Sequence, residues 1–588
     1  MAAGVLLTFA FYCLLRLGVH PLARYRRLNP TASPTKVARF VQANGLNDGL
    51  GGYISGYFSW LSHFAGFSGG WSPSIKREVA VWPELRSALF NSLRLLILAT
   101  VLGAGGGYLL DALARKYNHK PVQQYIDRGG IIAASVPVFV TAVAVQLVFA
   151  VKWGRLPTAG LYPVGQSGFD LKQMVRHLLL PTVVLALHNV FWYAHQFRAL
   201  RSHTMRTLMA ALIGSRAWIL GSLVVTETVF AYPGVGRFFL VAVQNGDFPQ
   251  LMPTAALLVL SLLILHALFS PASAVVASED SPAAAPPDLM HTSQVFGPRW
   301  TRITITVLAA LALIAALAPW TARYGAREAV RNLQVGPNQN LSPRAISWFG
   351  SNSAGYDVYS QMFFAFRSTL FAGLVASAVA VALGVAAAAI LRRRRTSAST
   401  PSGGIGGFWR VLPLVTALLV VRNVLSGPGW LNPILGQSSS LRLTIVVVAL
   451  VSAAYATALF KRHSLLDLSG FRAVARSDRR TLGTVIASTL AFAILCESTL
   501  SFLGFGPELG STSATLGTLI GQSRSAALER QWWVFAFPAG LLVFVLLGLG
   551  VIRAGLGDGP ESSALVIERI TIDEAVQLAG ETNIEVTA

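Results

Sequence analysis

Apolar runs of about 20 residues recur along the whole chain, separated by short polar stretches, and each is long enough to cross a bilayer as a helix. Their length predicts about twelve spans. The first six lie roughly at 3–22, 88–112, 130–152, 177–197, 207–229 and 251–270. The second six lie roughly at 301–320, 368–391, 409–425, 441–460, 481–503 and 532–553. Span 207–229 is interrupted by Arg216, and 409–425 is short. An even number of spans per half gives both halves the same orientation, which is a parallel rather than an inverted repeat. The predicted fold is an all-α polytopic membrane protein built as two six-helix repeats.

Residues 1–270 form the first half, 271–300 a Pro-, Ala- and Ser-rich linker, 301–555 the second half and 556–588 an acidic tail. Met1 to Gly18 has no basic segment ahead of its apolar stretch and no small-residue cleavage site, so it reads as the first membrane helix, not a removed signal. Basic residues gather in alternate loops. Arg115, Lys116, Lys120 and Arg128 occupy one, Arg198, Arg201 and Arg206 the next, then Arg392 to Arg395, and then Lys461, Arg462, Arg472 and Arg476. The intervening short loops are poorer: 426–440 has no basic residue and 230–250 has Arg237 alone, with 153–176 a weaker case that carries Arg155, Lys172 and Arg176. The positive-inside rule then places both termini in the cytoplasm of a cell-membrane protein. Two long loops, about 23–87 and 321–367, fall outside, one after the first span of each half. The first is rich in Gly and aromatics, which suggests a compact cap on the bilayer surface.

Composition agrees with a membrane location: 53% of the 588 residues are hydrophobic, 12% are charged and mean hydropathy is +0.56. The net charge of +22 belongs to the loop ends, so nucleic acid is not an expected partner and membrane lipid is. Cys13 and Cys496 both lie inside apolar segments and offer neither a disulfide framework nor a metal site. No Gly-Lys dipeptide occurs, which excludes a phosphate-cradling Walker A loop, so this chain is expected to bind no ATP or other cofactor. His463-Ser-Leu-Leu-Asp467 is one residue short of an acyltransferase pair and reads as a solvated loop; no catalytic constellation is expected.

The most specific feature is a repeated segment. Glu227-Thr-Val-Phe-Ala-Tyr-Pro-Gly-Val-Gly236 and Glu497-Ser-Thr-Leu-Ser-Phe-Leu-Gly-Phe-Gly506 align without a gap, 270 residues apart. Glu227 and Glu497 close apolar spans, where a carboxylate must reach water, backbone or a cation. Tyr232 and Phe502 match, as do Gly234 with Gly504 and Gly236 with Gly506, and the glycines permit a tight re-entrant turn. Two readings are open: a repeated helix cap and turn, or an external gate duplicated because a two-fold pore needs it twice. His177, His188 and His195 share one face of span four. His188, His195 and Arg216 are pathway candidates, with interhelical hydrogen bonding or snorkelling as the structural alternatives.

The first segment, with Arg237, resembles the signature after span five in one permease subunit of the dipeptide/oligopeptide/nickel ABC importers, and the second resembles that of its partner subunit. Asn29-Pro-Thr-Ala-Ser-Pro-Thr, Arg176-His-Leu-Leu-Leu-Pro181, Gly355-Tyr-Asp-Val-Tyr-Ser-Gln and Arg367-Ser-Thr-Leu are similar to further parts of that family. The resemblance covers both halves to about residue 555 and implies the two subunits fused in one chain. It implies an import channel for peptides or related solutes, an extracellular solute-binding protein, and two cytoplasmic ATPase subunits that bind ATP and grip a coupling helix in each half. The coupling candidates are Arg198, Arg201 and His203 in the first half. In the second they are Lys461, Arg462, Phe471, Arg472, Ala475 and Arg476.

The chain also departs from the family. Only 28 residues lie between Arg198 and Glu227, leaving about eight beyond a span. Between Arg462 and Glu497 there are 34, leaving about 14. Phe471-Arg-Ala-Val-Ala-Arg476 resembles the start of the family's Tyr-x-Glu-Ala-Ala-Arg pattern, with Ala473 replacing Glu and the following Gly and His-x-x-Pro-Asn missing. Two rivals therefore stand beside the importer: a permease-like scaffold with impaired coupling, and an ion-driven secondary transporter. The latter would need carboxylates near mid-bilayer, where the central spans have almost none.

Overall fold

The structure is a computed structural model that describes residues 2–47, 49–65, 73–116, 120–163, 170–199, 221–258, 260–261, 297–325, 342–345, 347–352, 355–393, 414–425, 440–462, 479–508 and 513–556. These residues are helical, with no strand beyond one isolated bridge between Ser351 and Asp357. Among the described residues six helices are long and apolar enough to cross a membrane, or seven if one bent pair is a single span. Two further apolar helices, Thr8–Val19 and Leu441–Thr457, are shorter. The protein is an integral membrane protein, and this tally is smaller than the twelve spans expected from apolar length. The linker, the acidic tail and much of spans five and six lie outside the described residues.

In the first half, α1 (Ala2–Val19) breaks at His20, whose φ of 47° lets Pro21 begin α2 (Pro21–Leu28) in a new direction. The loop that follows contains α3 (Pro34–Ala43) and α4 (Gly49–Ala65). They form the compact cap expected from the aromatic content: Tyr25 stacks on Phe40 and Trp60 on Phe64. Arg16 ties this cap to α1, donating to Gly45 O and Gly52 O at 3.2 Å each while its guanidinium lies over the Tyr53 ring. Next come α5 (Val81–Lys116), α6 (Lys120–Ser135) and α7 (Val138–Val145), the last running on as a π-helical turn, Gln146–Lys152.

The expected straight span at 130–152 is instead bent by 89° between Ser135 and Val138. Pro137 cannot donate to the preceding turn, so the helix stops and restarts there. The half continues with α8 (Leu171–Ala199), a helical stretch at 221–229, α9 (Val235–Asn245) and a helical stretch at 248–258.

The second half is described from residue 297. It holds α10 (Pro298–Ala316), the single turn α11 (Ala318–Thr321), α12 (Val358–Arg393), α13 (Leu414–Leu425), α14 (Leu441–Arg462) and α15 (Arg479–Leu500). A π-helical turn, Ser501–Phe505, leads to α16 (Leu516–Leu528) and α17 (Trp532–Leu556). The two long helices α5 and α12 are both 36 residues, and each packs mainly on the helix two spans later, α8 and α14. Their outer faces carry exposed Phe90, Ile97, Val101 and Leu109, and Phe371, Leu374 and Leu383, as lipid contact requires.

Both long loops meet the end of the bundle where α9 ends and α17 begins. From the first loop, Arg24 Nε donates to Asn245 O at 3.1 Å, and Ser74 Oγ bonds Asp247 Oδ2. From the second, Ser351 O accepts from Trp533 Nε1 at 3.2 Å, and Phe349 stacks on Phe537 at 4.0 Å. Asp357, within the Gly355–Gln361 segment, caps α12 by accepting from Ser360 N at 2.8 Å.

Helices of the two halves pack against each other. First-half α1 lies against second-half α13, and second-half α17 against first-half α6. At the former contact a Cβ on Gly18 would sit 2.5 Å from Val424 Cα, whereas a Cβ on Gly105 would meet nothing within 4 Å. Gly18→Leu is therefore expected to lower stability by about 1–3 kcal/mol, read as an earlier thermal transition in detergent. Gly105→Leu is expected to leave that transition in place.

Candidate functional site: the paired Glu–Gly corners

Each repeated segment folds as a corner in which the chain leaves a span, turns through glycines and starts a short helix. In the first half, Glu227 lies near the end of the stretch 221–229, Tyr232 N donates back to Glu227 O at 2.8 Å, and α9 begins at Val235. In the second, Glu497 lies near the end of α15, Gly504 turns the chain with φ 89°, and α16 begins at Leu516 behind the N-cap Thr515. That φ belongs to the left-handed region open to glycine.

Both carboxylates are fully buried. Burial of a charged or polar group is tolerated only where hydrogen bonds replace water, and the two sites supply them alike. Ser92 of α5 donates to Glu227 Oε1 at 2.5 Å and accepts from Val235 N, the first residue of α9, at 2.8 Å. Thr369 of α12 donates to Glu497 and accepts from Leu516 N, the first residue of α16, at 2.9 Å. One hydroxyl from the long helix of each half thus links the buried acid to the start of the short helix. Glu227 Oε2 also accepts from Arg237 N at 3.0 Å. Glu497 also accepts from Ser501 Oγ at 2.7 Å, from Ser498 Oγ at 3.2 Å and from Thr515.

The glycines make room for these acids. A Cβ on Gly234 would lie 2.1 Å from Glu227 Oε1, and one on Gly236 would lie 2.7 Å from Val224 Cα. At the second corner a Cβ on Gly506 would lie 2.2 Å from Ser501 Oγ. The aromatic position differs between the two. Tyr232 donates its hydroxyl to Asn91 O at 3.0 Å, while Phe502 stacks on Phe139 of the first half at 4.4 Å.

The two corners lie side by side at one end of the bundle and bond to each other across the halves. Gln244 of α9 donates to Leu503 O, inside the second corner, at 3.2 Å. Arg524 of α16 donates to Val229 O, inside the first. Gln146 reaches the same Val229 O at 3.1 Å. These bonds join the two corners directly.

The remaining candidates are placed unevenly. His188 is buried with Nε2 3.0 Å from Val136 O and Nδ1 3.1 Å from Val184 O, so a neutral ring donates to one of them. Val136 O is a carbonyl at the Pro137 break, which makes His188 a tie between α8 and that bend. His177 Nδ1 lies 3.1 Å from Ala159 O. His195 and Arg198 fall on α8, and Lys461 and Arg462 close α14. Arg201, His203, Arg216, Phe471, Arg472, Ala475 and Arg476 lie outside the described residues. Sequence reasoning passed over Ser92, Thr369, Gln244 and Arg524. The signal for the first two is their matching place in Asn91-Ser92-Leu93 and Ser368-Thr369-Leu370, ahead of equivalent long apolar runs.

No family model matches the chain. The curated proteins it resembles include peptide transport permeases. A probable peptide ABC transporter permease, y4tP of Sinorhizobium fredii, is 28% identical over 264 residues, 40% of this chain and 82% of its own length. The dipeptide transport system permease DppC of Bacillus subtilis is 26% identical over 252 residues, 37% of this chain and 70% of its own. The oligopeptide transport system permease AppB of the same species is 25% identical over 279 residues, 41% of this chain and 85% of its own. Each relative thus matches about two fifths of the chain, consistent with a fused permease.

Removing the bridging hydroxyl strands both the acid and a helix N–H. Ser92→Ala and Thr369→Ala are each expected to cost about 1–3 kcal/mol, the usual penalty for a buried group left unsatisfied. Thermal unfolding of the two variants in detergent checks this, with Ser368→Ala as the adjacent control.

Proposed function

We propose that this protein is the membrane permease of an ABC importer, both permease halves in one chain, moving peptides or related small solutes into the cytoplasm. Separate cytoplasmic ATPase subunits supply the energy, and an extracellular solute-binding protein delivers the solute. Twelve spans, arranged as two parallel repeats with both termini cytoplasmic in the cell membrane, complete this reading. The observation that carries it is the reciprocal bonding of the two corners, Gln244 to Leu503 O and Arg524 to Val229 O. A duplicated corner that meets its twin between two halves suits a seal across a shared pathway.

In this reading the corners are the outer seal. They lie at the end of the bundle that carries both long loops, where a binding protein docks. Closure of the ATPases, acting through Arg198, Arg201 and His203 in one half and Lys461 to Arg476 in the other, separates the corners and exposes the pathway outward. Release reseals them by remaking short hydrogen bonds to backbone carbonyls, without rebuilding a hydrophobic core.

The short stretch between Arg198 and Glu227 favours a second reading, a permease-like scaffold that no longer engages ATPases. Affinity purification of the tagged chain from its native membrane separates the two. Co-elution of ATPase subunits, with peptide uptake into proteoliposomes that requires ATP hydrolysis, is the expected result. A chain that elutes without ATPases and moves nothing is the scaffold. Uptake that follows a proton or sodium gradient without ATP makes it a secondary transporter.

A further inference from the structure

The first corner gathers two positive charges, one from each half, on a three-residue stretch of backbone. Arg237 of α9 donates Nη1 to Ala231 O at 2.7 Å, and Arg524 of α16 donates Nη2 to Val229 O. Both side chains are partly buried, and neither has a carboxylate within ion-pair distance among the described residues. Arg524 Nε is buried without an acceptor there. Glu227 lies close enough to Arg237 for the two charges to attract, but its oxygens accept from Ser92 Oγ and from the Arg237 backbone N–H and make no direct contact with the guanidinium. A third guanidinium, that of Arg422 on α13, lies over the Phe505 ring of the second corner at 4.3 Å.

Gathering like charges in a part-desolvated site is costly, and neutral carbonyls offset that cost less than a carboxylate would. A helix tie between halves needs only a neutral donor, and Gln244 performs that task at the equivalent contact. Arginine brings instead a planar fork suited to two carboxylate oxygens at once. Ionisable groups retained at membrane depth tend to belong to a substrate path.

The geometry points to Arg237 and Arg524 as a recognition site for a carboxylate of the transported solute, placed inside the outer seal. The inference deepens the permease reading and rests on it. As the corners part, the two forks lose Ala231 O and Val229 O, and a carboxylate replaces both acceptors with stronger, bidentate partners. The solute class is then peptides or peptide-like molecules with a free carboxylate end. The same exchange gives the solute a part in keeping the seal open until it has passed.

The test uses the full chain in nanodiscs with its ATPase subunits held closed by a non-hydrolysable ATP analogue, so that the corners are parted, and two probes, tri-alanine and tri-alanine C-terminal amide, with binding followed by microscale thermophoresis. Wild type is expected to prefer the free acid by about tenfold, the scale of one charge-assisted contact. Arg524→Gln and Arg237→Gln keep a donor for the carbonyls and are expected to fold, with an unchanged thermal transition, while losing the preference. Arg524→Lys is expected to retain part of it. Equal binding of acid and amide by wild type overturns the inference, as does a preference that survives in both Gln variants. No binding of either probe also overturns it, yet leaves the permease reading standing on ATPase co-elution and ATP-driven uptake.

Discussion

A carboxylate buried in a membrane bundle must have every lone pair answered, because neither lipid nor a packed core offers water. That requirement organises both corners of this protein. Glu227 and Glu497 each draw a hydroxyl from a long helix and amide or hydroxyl donors from their own turn. In doing so they fix where the short helices begin. The position of α9 and α16, and through them the contact between the halves, follows from satisfying two acids.

The glycines and the bridging hydroxyls belong to the same constraint. At Gly234 the space a methyl group would fill is occupied by the Glu227 carboxylate itself. Ser92 and Thr369 are each both donor and acceptor, a capacity that Ala or Val lacks. Both corners therefore rest on a few polar contacts inside a large apolar bundle. Arg524 and Gln244 extend the network across the halves, so the local demand of an acid becomes a relation between two repeats.

Much of the architecture was legible in the chain. Apolar length located α5, α8, α12, α15 and α17, because lipid permits only internally bonded helices there. The repeat in Glu, aromatic and Gly positions foretold two equivalent corners. The bend at Pro137 was not foreseen, since hydropathy averages over a break and continues on its far side. The bridging hydroxyls escaped because a lone Ser or Thr in an apolar helix ordinarily bonds its own preceding turn, as Thr489 does to Val485 O at 2.8 Å. His188 was open to two readings, a pathway residue or an interhelical hydrogen bond, and in the structure its ring lies 3.0 Å from a backbone carbonyl at a kink.

The central claim is that the two corners share one end of the bundle and touch. Pulsed electron paramagnetic resonance tests it most directly, with spin labels on cysteines replacing the exposed Pro233 and Ser525 and with Cys13 and Cys496 changed to alanine. Corners that meet predict a distance of about 20 Å or less between labels in the resting protein, well under the roughly 30 Å hydrocarbon thickness. A single population at about 40 Å or more would place the corners apart, on opposite sides of the membrane or at opposite edges of the bundle, and would contradict the account.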